Sequence, residues 1–211
     1  MRKASRIRPA ERQALQLYLS KIQIPDYQVV SSEIFGCIRP IFLEIGFGKG
    51  EFLYEMAKKH PEINFVGIDI YLTGVAKLIR RMCNYDNLNP PMPENIRILI
   101  KDAHLALKEN FKDESIERIF ILFPDPWPKK RHHKRRLIKP DFAELLKRRL
   151  LKGGSVLIAT DHEGYLEVIR DVMKNAGFEE RSSSDPMVLK TKYARKAQEQ
   201  GRKIYQFLYT R

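Results

Sequence analysis

The residues best equipped for chemistry lie in two short stretches. The first, Phe42-Leu43-Glu44-Ile45-Gly46-Phe47-Gly48-Lys49-Gly50-Glu51, sets a carboxylate two residues ahead of three alternating glycines. Glycines where a strand turns into a helix let the backbone approach a ligand closely, at the carboxyl edge where open α/β sheets bind their ligands. The spacing disfavours the familiar phosphate cradles. GxGxxG needs a glycine where Glu51 stands, and GxxxxGK[ST] needs a hydroxyl after the lysine, whereas Lys49 is followed by Gly50. An acid beside such a loop repels phosphate and attracts a cation, so Glu44 suits a positively charged ligand. Asp69, 23 residues past Gly46, stands where nucleotide-binding sheets place the acid that accepts from ribose hydroxyls. Asp102, just past the next apolar run, is a third acid at a strand end. Each acid taken singly has an alternative as a helix cap or a solvated loop residue.

The second stretch is Phe123-Pro124-Asp125-Pro126-Trp127-Pro128, followed by KKRHHKRR from Lys129 to Arg136. Prolines on both sides of Asp125 stiffen the loop, so its carboxylate is presented with little entropy left to lose. An acid, an aromatic and a basic run within a dozen residues suggest a nucleic-acid base held beside the acid and phosphates held just outside. Trp127 has an alternative as a core anchor at a sheet edge. His132 and His133 lack a Cys or carboxylate cluster at ligand spacing, so no metal is expected. A localisation signal is disfavoured by the position of the run directly after a strand end.

The net charge of +13 is concentrated: residues 1–12 carry +4, 129–139 carry +7 and 190–211 carry +6, leaving −4 for the rest. Clustered cations on a mildly acidic body fit a polyanionic partner, because they release counterions from phosphates. The alternative is a set of solvated faces. With 211 residues, 43% apolar and 10% aromatic, the chain suits one domain with a modest extension and is unlike a disordered protein. Cys37 and Cys83 form no CxxC pair, which argues against a disulfide scaffold or zinc ribbon. No apolar run approaches a membrane span and the N-terminus lacks a signal-peptide core, so a cytoplasmic location is expected.

The elements that must position these residues alternate as an α/β fold does. Short apolar runs predict strands over Ile41–Ile45, Asn64–Ile70, Ile96–Ile100, Arg118–Phe123 and Ser155–Thr160. Helical spacing links Phe52 to Ala57, Val75 to Met82, Phe142 to Leu150, and Leu166 to Ala176, with Gly153-Gly154 expected to end the third helix. Phe178–Ser182 and Ile204–Tyr209 suggest a final antiparallel pair. Residues 1–35 read as a loosely attached, partly flexible basic extension containing only the short helix-like run Ala14–Leu19, and 36–211 as the main domain.

The acid followed by GxGxG resembles the nucleoside-binding loop of class I S-adenosylmethionine methyltransferases. More specifically, FLEIGFGKG, VGIDIY, FPDPWPKKRHHKRR, ATDHEGY and TKYARKAQEQGRKIY, in this order, resemble the bacterial tRNA (guanine-N(7)-)-methyltransferases from about residue 40 to the C-terminus. The resemblance implies a Rossmann-like class I methyltransferase fold, with a mostly parallel doubly wound sheet and a C-terminal antiparallel strand pair. It implies methyl transfer from S-adenosyl-L-methionine to N(7) of a guanosine in tRNA, expected in the variable loop, leaving S-adenosyl-L-homocysteine.

By the same resemblance Glu44, the loop glycines Gly46, Gly48 and Gly50, Asp69, Asp102 and Asp125 bind the methyl donor, and Asp125 is also the catalytic carboxylate. Lys129, Asp161, Thr191, Lys192 and Tyr193 bind substrate, while Arg131, His132, His133, Lys134, Arg135 and Arg136 contact RNA. One position departs from the pattern, Ala194, where the family usually has Glu. Two other readings remain: methylation of an exocyclic amine, disfavoured because the order here is Pro-Asp-Pro-Trp rather than polar-Pro-Pro-aromatic, and a catalytically idle RNA-binding module. The sequence leaves monomer or homodimer open.

Overall fold

A computed structural model describes residues 7–30, 32–83 and 92–211. They form two compact units, one ending at Asn110 and the other beginning at Phe111. Among the described residues no helix is long and apolar enough to cross a membrane.

The first unit runs α1 (Pro9–Ile22), a 3-10 turn (Ser32–Phe35), β1 (Ile41–Ile45), α2 (Glu51–Lys59), β2 (Asn64–Ile68), α3 (Leu72–Met82), β3 (Ile96–Leu99) and α4 (Ala103–Asn110). The strands are parallel in the order β3-β2-β1. Every residue of β1 and β2 is buried, which accounts for their largely apolar character, Glu44 and Asn64 apart. The register sets Ile45 opposite Ile68 and Ile68 opposite Leu99, so the carboxyl ends of all three strands are level. Glu44, Asp69 and Asp102 therefore share one edge.

Residues 1–6 and 31 of the expected loose arm lie outside the described residues, and from Pro9 on the described part is packed. Pro9 opens α1 and the Glu11 carboxylate accepts from the Arg8 N–H at 2.9 Å, closing the first turn. Ala14, Ile22, Ile24 and Val30 are buried, and α1 lies against α3. Gln23 makes a parallel bridge to Ile98, the Ile24 N–H donates to the Ile98 carbonyl at 2.8 Å, and the Asn110 amide donates to the carbonyls of Asp26 and Gln28. These bonds give the β3 edge a partner, which an open strand edge otherwise lacks.

The second unit runs β4 (Ile116–Leu122), a 3-10 turn (Lys130–Arg135), α5 (Pro140–Arg149), β5 (Leu150–Thr160), α6 (Glu163–Asn175), β6 (Glu179–Ser182), α7 (Pro186–Leu189), α8 (Lys192–Glu199) and β7 (Tyr205–Thr210). Its strand order is β4-β5-β7-β6, with β4 and β5 parallel and the C-terminal pair antiparallel, as expected. Gly153-Gly154 does not end α5, which stops at Arg149. Ile116 faces Leu150 while Arg118 faces Ser155, so the two glycines lie in extra residues of a bulge. Gly153 supplies φ +77°, and a Cβ on Gly154 would lie 2.9 Å from the Glu117 carbonyl oxygen.

Candidate functional site

In the first unit the loop after β1 is backbone built by glycine. Gly46, Gly48 and Gly50 all have positive φ, and Gly50 serves as the N-cap of α2 without a side chain. Asp69, directly after β2, holds this loop in place. Its Oδ2 accepts from the Gly48 N–H at 2.8 Å and its Oδ1 from the Tyr71 N–H at 2.9 Å. Burial pushes the Asp69 carboxyl up, and those two amides oppose the rise.

Glu44 sits deeper, 4% exposed. Burial, and then the charge of Asp69, push its carboxyl up to about 8, with the Leu53 backbone amide in the first turn of α2 pulling the other way. Its Oε2 is buried without a hydrogen-bond partner. A buried acceptor left unpaired costs about 1–3 kcal/mol, a cost that a donor from outside the chain would remove. A cationic or N–H-bearing ligand fits it.

The third acid is engaged otherwise. Asp102 is exposed and its Oδ1 accepts from the His104 and Leu105 N–H groups at 3.0 and 3.2 Å, which makes it the N-cap of α4. Two features of this edge went unread in the sequence. A Cβ on Gly74, inside α3, would run into the Gly48 carbonyl oxygen, so glycine there lets the helix approach the loop. The available signal was a glycine interrupting a helical pattern. Ile70, Tyr71 and Leu72, immediately after Asp69, leave 55, 49 and 45% of their surface exposed, an apolar patch beside the acid.

In the second unit the loop after β4 is held in an unusual backbone. Phe123 and Trp127 have φ of +53° and +44°, rare for residues with side chains, and each precedes a proline. Strain of this kind costs on the order of 1 kcal/mol or more per residue and persists where its surroundings enforce it. The enforcing contacts are visible. The Phe123 N–H donates to the Ala159 carbonyl at 2.8 Å, and the Arg136 Nε donates to the Pro126 carbonyl at 2.9 Å. Between them Asp125 is exposed.

Arg136, expected to contact RNA, is only 7% exposed, with its guanidinium 4.8 Å from the centre of the Tyr165 ring. It braces the loop, and Tyr165, itself buried, takes the Ile138 N–H on its hydroxyl. The rest of the run fits the expectation better: Lys129, Arg131, His133, Lys134 and Arg135 are exposed. Arg135 stacks 5.1 Å from the centre of the half-buried Trp127 ring, and His132 meets that ring edge-on at 5.8 Å. Trp127 is thus clothed by the basic run rather than anchored in a core. Partial burial and repulsion from Arg135, Lys129 and Lys134 lower the His132 pKa.

Asp161 follows β5 and forms an ion pair with Arg202 through its Oδ2. Thr191 is the buried N-cap of α8, its hydroxyl oxygen accepting from the Ala194 N–H at 3.2 Å. Lys192 and Tyr193 are exposed, and the Tyr193 ring stacks on Phe123 with centroids 6.3 Å apart at 23°. Tyr193 is thereby tied to the loop that bears Asp125, whereas Thr191 acts through the helix it caps. Ala194 is fully buried. Among the described residues no group of three or more His, Cys, Asp or Glu stands together as a metal site.

Residues 38–207 match the methyltransferase family model Methyltransf_4. The tRNA (guanine-N(7)-)-methyltransferase of Thermotoga maritima is 40% identical over 86% of this chain and 57% of its own length. Enzymes of the same name from Nitrosococcus oceani and Nitrosomonas europaea are 36 and 37% identical, over 100 and 96% of this chain and 89 and 91% of theirs. Among solved structures, the 16S rRNA methyltransferase KamB superposes with a TM-score of 0.61 at 16% identity, covering 87% of this chain and 94% of its own. An antibiotic-related methyltransferase gives 0.60 at 19%, covering 89 and 97%. These two share the fold, and the α/β class read from the sequence is borne out.

Proposed function

Since the chain belongs to the tRNA (guanine-N(7)-)-methyltransferase family, we propose that it transfers the methyl group of S-adenosyl-L-methionine to N(7) of a guanosine in tRNA, in the variable loop. The observation that carries this reading is the buried Glu44 Oε2 with no partner. A ligand bearing an ammonium and a sulfonium completes it, and the glycine loop leaves room for backbone approach. When bound, S-adenosyl-L-methionine supplies the methyl group as a sulfonium electrophile. Glu44 and the glycine loop hold its charged portion, Asp69 accepts from the ribose hydroxyls through its remaining lone pairs, and Ile70, Tyr71 and Leu72 offer apolar surface to the purine. Asp102 turns one oxygen to its helix, which leaves the other for the adenine amine.

Guanine N(7) carries a free lone pair, so no strong base is needed to create the nucleophile. Alignment then supplies much of the rate: well-oriented reactants gain roughly 7–11 kcal/mol over a bimolecular encounter. Positive charge grows on the ring as the bond forms, and we assign its stabilisation to Asp125, which the prolines and the braced loop hold in one geometry. Asp161 accepts from the Watson–Crick edge of the base. The base leaves its stack at a cost of a few kcal/mol, offset by contacts in the pocket. Arg131, Lys134 and Arg135 bind phosphate, and the enzyme works in the cytoplasm with its substrate.

The test is to methylate unfractionated tRNA with labelled donor, digest it to nucleosides and identify the product. 7-Methylguanosine is expected. Methyladenosine as the sole labelled nucleoside overturns the reading, and failure of the donor to bind would instead favour an idle RNA-binding module.

A further inference from the structure

We infer that Arg202 is a positioning residue for Asp161, its guanidinium fixing the carboxylate in the orientation that accepts from the target guanine. This rests on the proposed role of Asp161 at the base. Thr160 pairs with Tyr205 across β5 and β7, so Asp161, one residue beyond, and Arg202, three residues before Tyr205, emerge at the same end of that strand pair.

The backbone of Arg202 is pinned. Gly201 takes φ +65°, and the Arg202 N–H donates to the Ala197 carbonyl at 2.9 Å, the turn that ends α8. Its guanidinium then has two commitments, Nη1 to Asp161 Oδ2 and Nη2 to Gln200 Oε1 at 2.6 Å. A planar fork held on two edges leaves its partner little rotational freedom, and a lysine ammonium in its place would restrain the carboxylate only in part.

Exposure differs across the pair: the Asp161 side chain is 16% exposed and that of Arg202 42%. The acid is sheltered and the cation faces solvent. The pair engages one oxygen of a carboxylate that has about four lone-pair sites, so the two N–H donors of a guanine edge can be accepted while the pair stays made. The first turn of α8, Lys192-Tyr193-Ala194, contributes no acid. This helix reaches Asp161 from its other end, through a cation. A purely structural role predicts little, because solvent-exposed ion pairs contribute little to stability.

The experiment measures steady-state kinetics with total tRNA for the full chain and for Arg202→Ala, Arg202→Lys, Asp161→Ala and the Asp161→Ala/Arg202→Ala double variant. Thermal melting, donor affinity and the salt dependence of tRNA binding are recorded for each. Arg202→Ala is expected to lower kcat/KM for tRNA at least tenfold, with melting, donor affinity and salt slope unchanged. Arg202→Lys should recover part of the loss, and Arg202→Ala should add nothing once Asp161 is alanine.

Wild-type kcat/KM in Arg202→Ala overturns the inference. So does an undiminished further loss in the Asp161→Ala background, or a salt slope reduced by about one, since either makes Arg202 an independent phosphate contact. If Arg202→Ala melts lower, the lysine variant decides: kinetics as poor as the alanine variant's at wild-type melting overturn the inference, and partial recovery supports it. A wild-type chain that forms no 7-methylguanosine defeats the underlying reading instead.

Discussion

The glycine loop after β1 and the proline loop after β4 both place carboxylates at the ends of parallel strands, yet they are built in opposite ways. Around Glu44 the backbone takes positive φ only at glycine, and Glu44 and Asp69 are both buried. Around Asp125 positive φ falls on Phe123 and Trp127, the acid is exposed, and cations cover the aromatic ring. The first region is complete except for one buried acceptor, as suits a small ligand of fixed shape. The second stores strain and presents charge outward, as suits a large polyanion and a base that must be brought to the acid.

The variants that break this contrast most severely attack close packing at the glycine loop. Gly74→Ala drives a Cβ into the Gly48 carbonyl oxygen, so the helix or the loop must shift. Donor affinity should fall on the order of a hundredfold, and the chain should lose about 1–3 kcal/mol of stability, read by calorimetry and denaturant unfolding. Wild-type affinity in this variant would mean that the loop does not bind the donor. Asp125→Ala should cut single-turnover transfer at least tenfold while leaving tRNA affinity nearly intact, because the exposed acid supports no packing. Unchanged turnover removes Asp125 from the chemistry.

Smaller effects sharpen the contrast. Lys134→Ala/Arg135→Ala should weaken tRNA binding several-fold and lower its salt slope by about two, one per phosphate contact. Arg136→Ala differs in kind from its neighbours. It removes the brace on Pro126 and the contact with Tyr165, so it should destabilise the fold and slow transfer with little change in salt slope. An Arg136 variant that behaved like the Lys134/Arg135 pair would erase the distinction drawn within the run. The smallest effect belongs to Asp102→Asn, since Asn caps a helix about as well as Asp. Melting should hold, and only donor affinity should fall, by a few-fold.

Local pattern carried the sequence reading wherever local pattern decides structure. β1 begins and ends where its apolar run does, and the C-terminal antiparallel pair was legible within one residue. β2 stops two residues short of the expected Ile70 because the Asp69 carboxylate takes two backbone amides and turns the chain. The misreadings have tertiary causes. Gly153-Gly154 suits a helix end as well as a bulge, and only the β4 register distinguishes them. Arg136 was expected to contact RNA with the rest of its run, and only Tyr165, 29 residues on, shows why it is buried instead. Arg202 was invisible because its partner lies 41 residues away. The N-terminal helix was underread because its apolar stripe is thin, and the segment after it, Gln23 to Val30, is fixed by backbone bonds to β3 and α4.

The central claim, that Glu44 is completed by a cationic donor, is tested most directly by the pH dependence of donor binding. With its carboxyl pushed up to about 8, Glu44 is largely protonated at pH 7 in the unliganded protein and must ionise against the ligand's positive charge. The sign for folding is the reverse: this group favours the fold fully below about pH 4.5, and that contribution is lost as pH rises toward 8. Titration calorimetry with S-adenosyl-L-methionine should therefore show affinity rising close to tenfold between about pH 6 and pH 7, with a proton released on binding. In Glu44→Gln the affinity should be weak and nearly flat over that range, while the unliganded variant melts above wild type at pH 8. Affinity in the wild-type chain that does not change between those two pH values, matched by the Gln variant, would contradict the account.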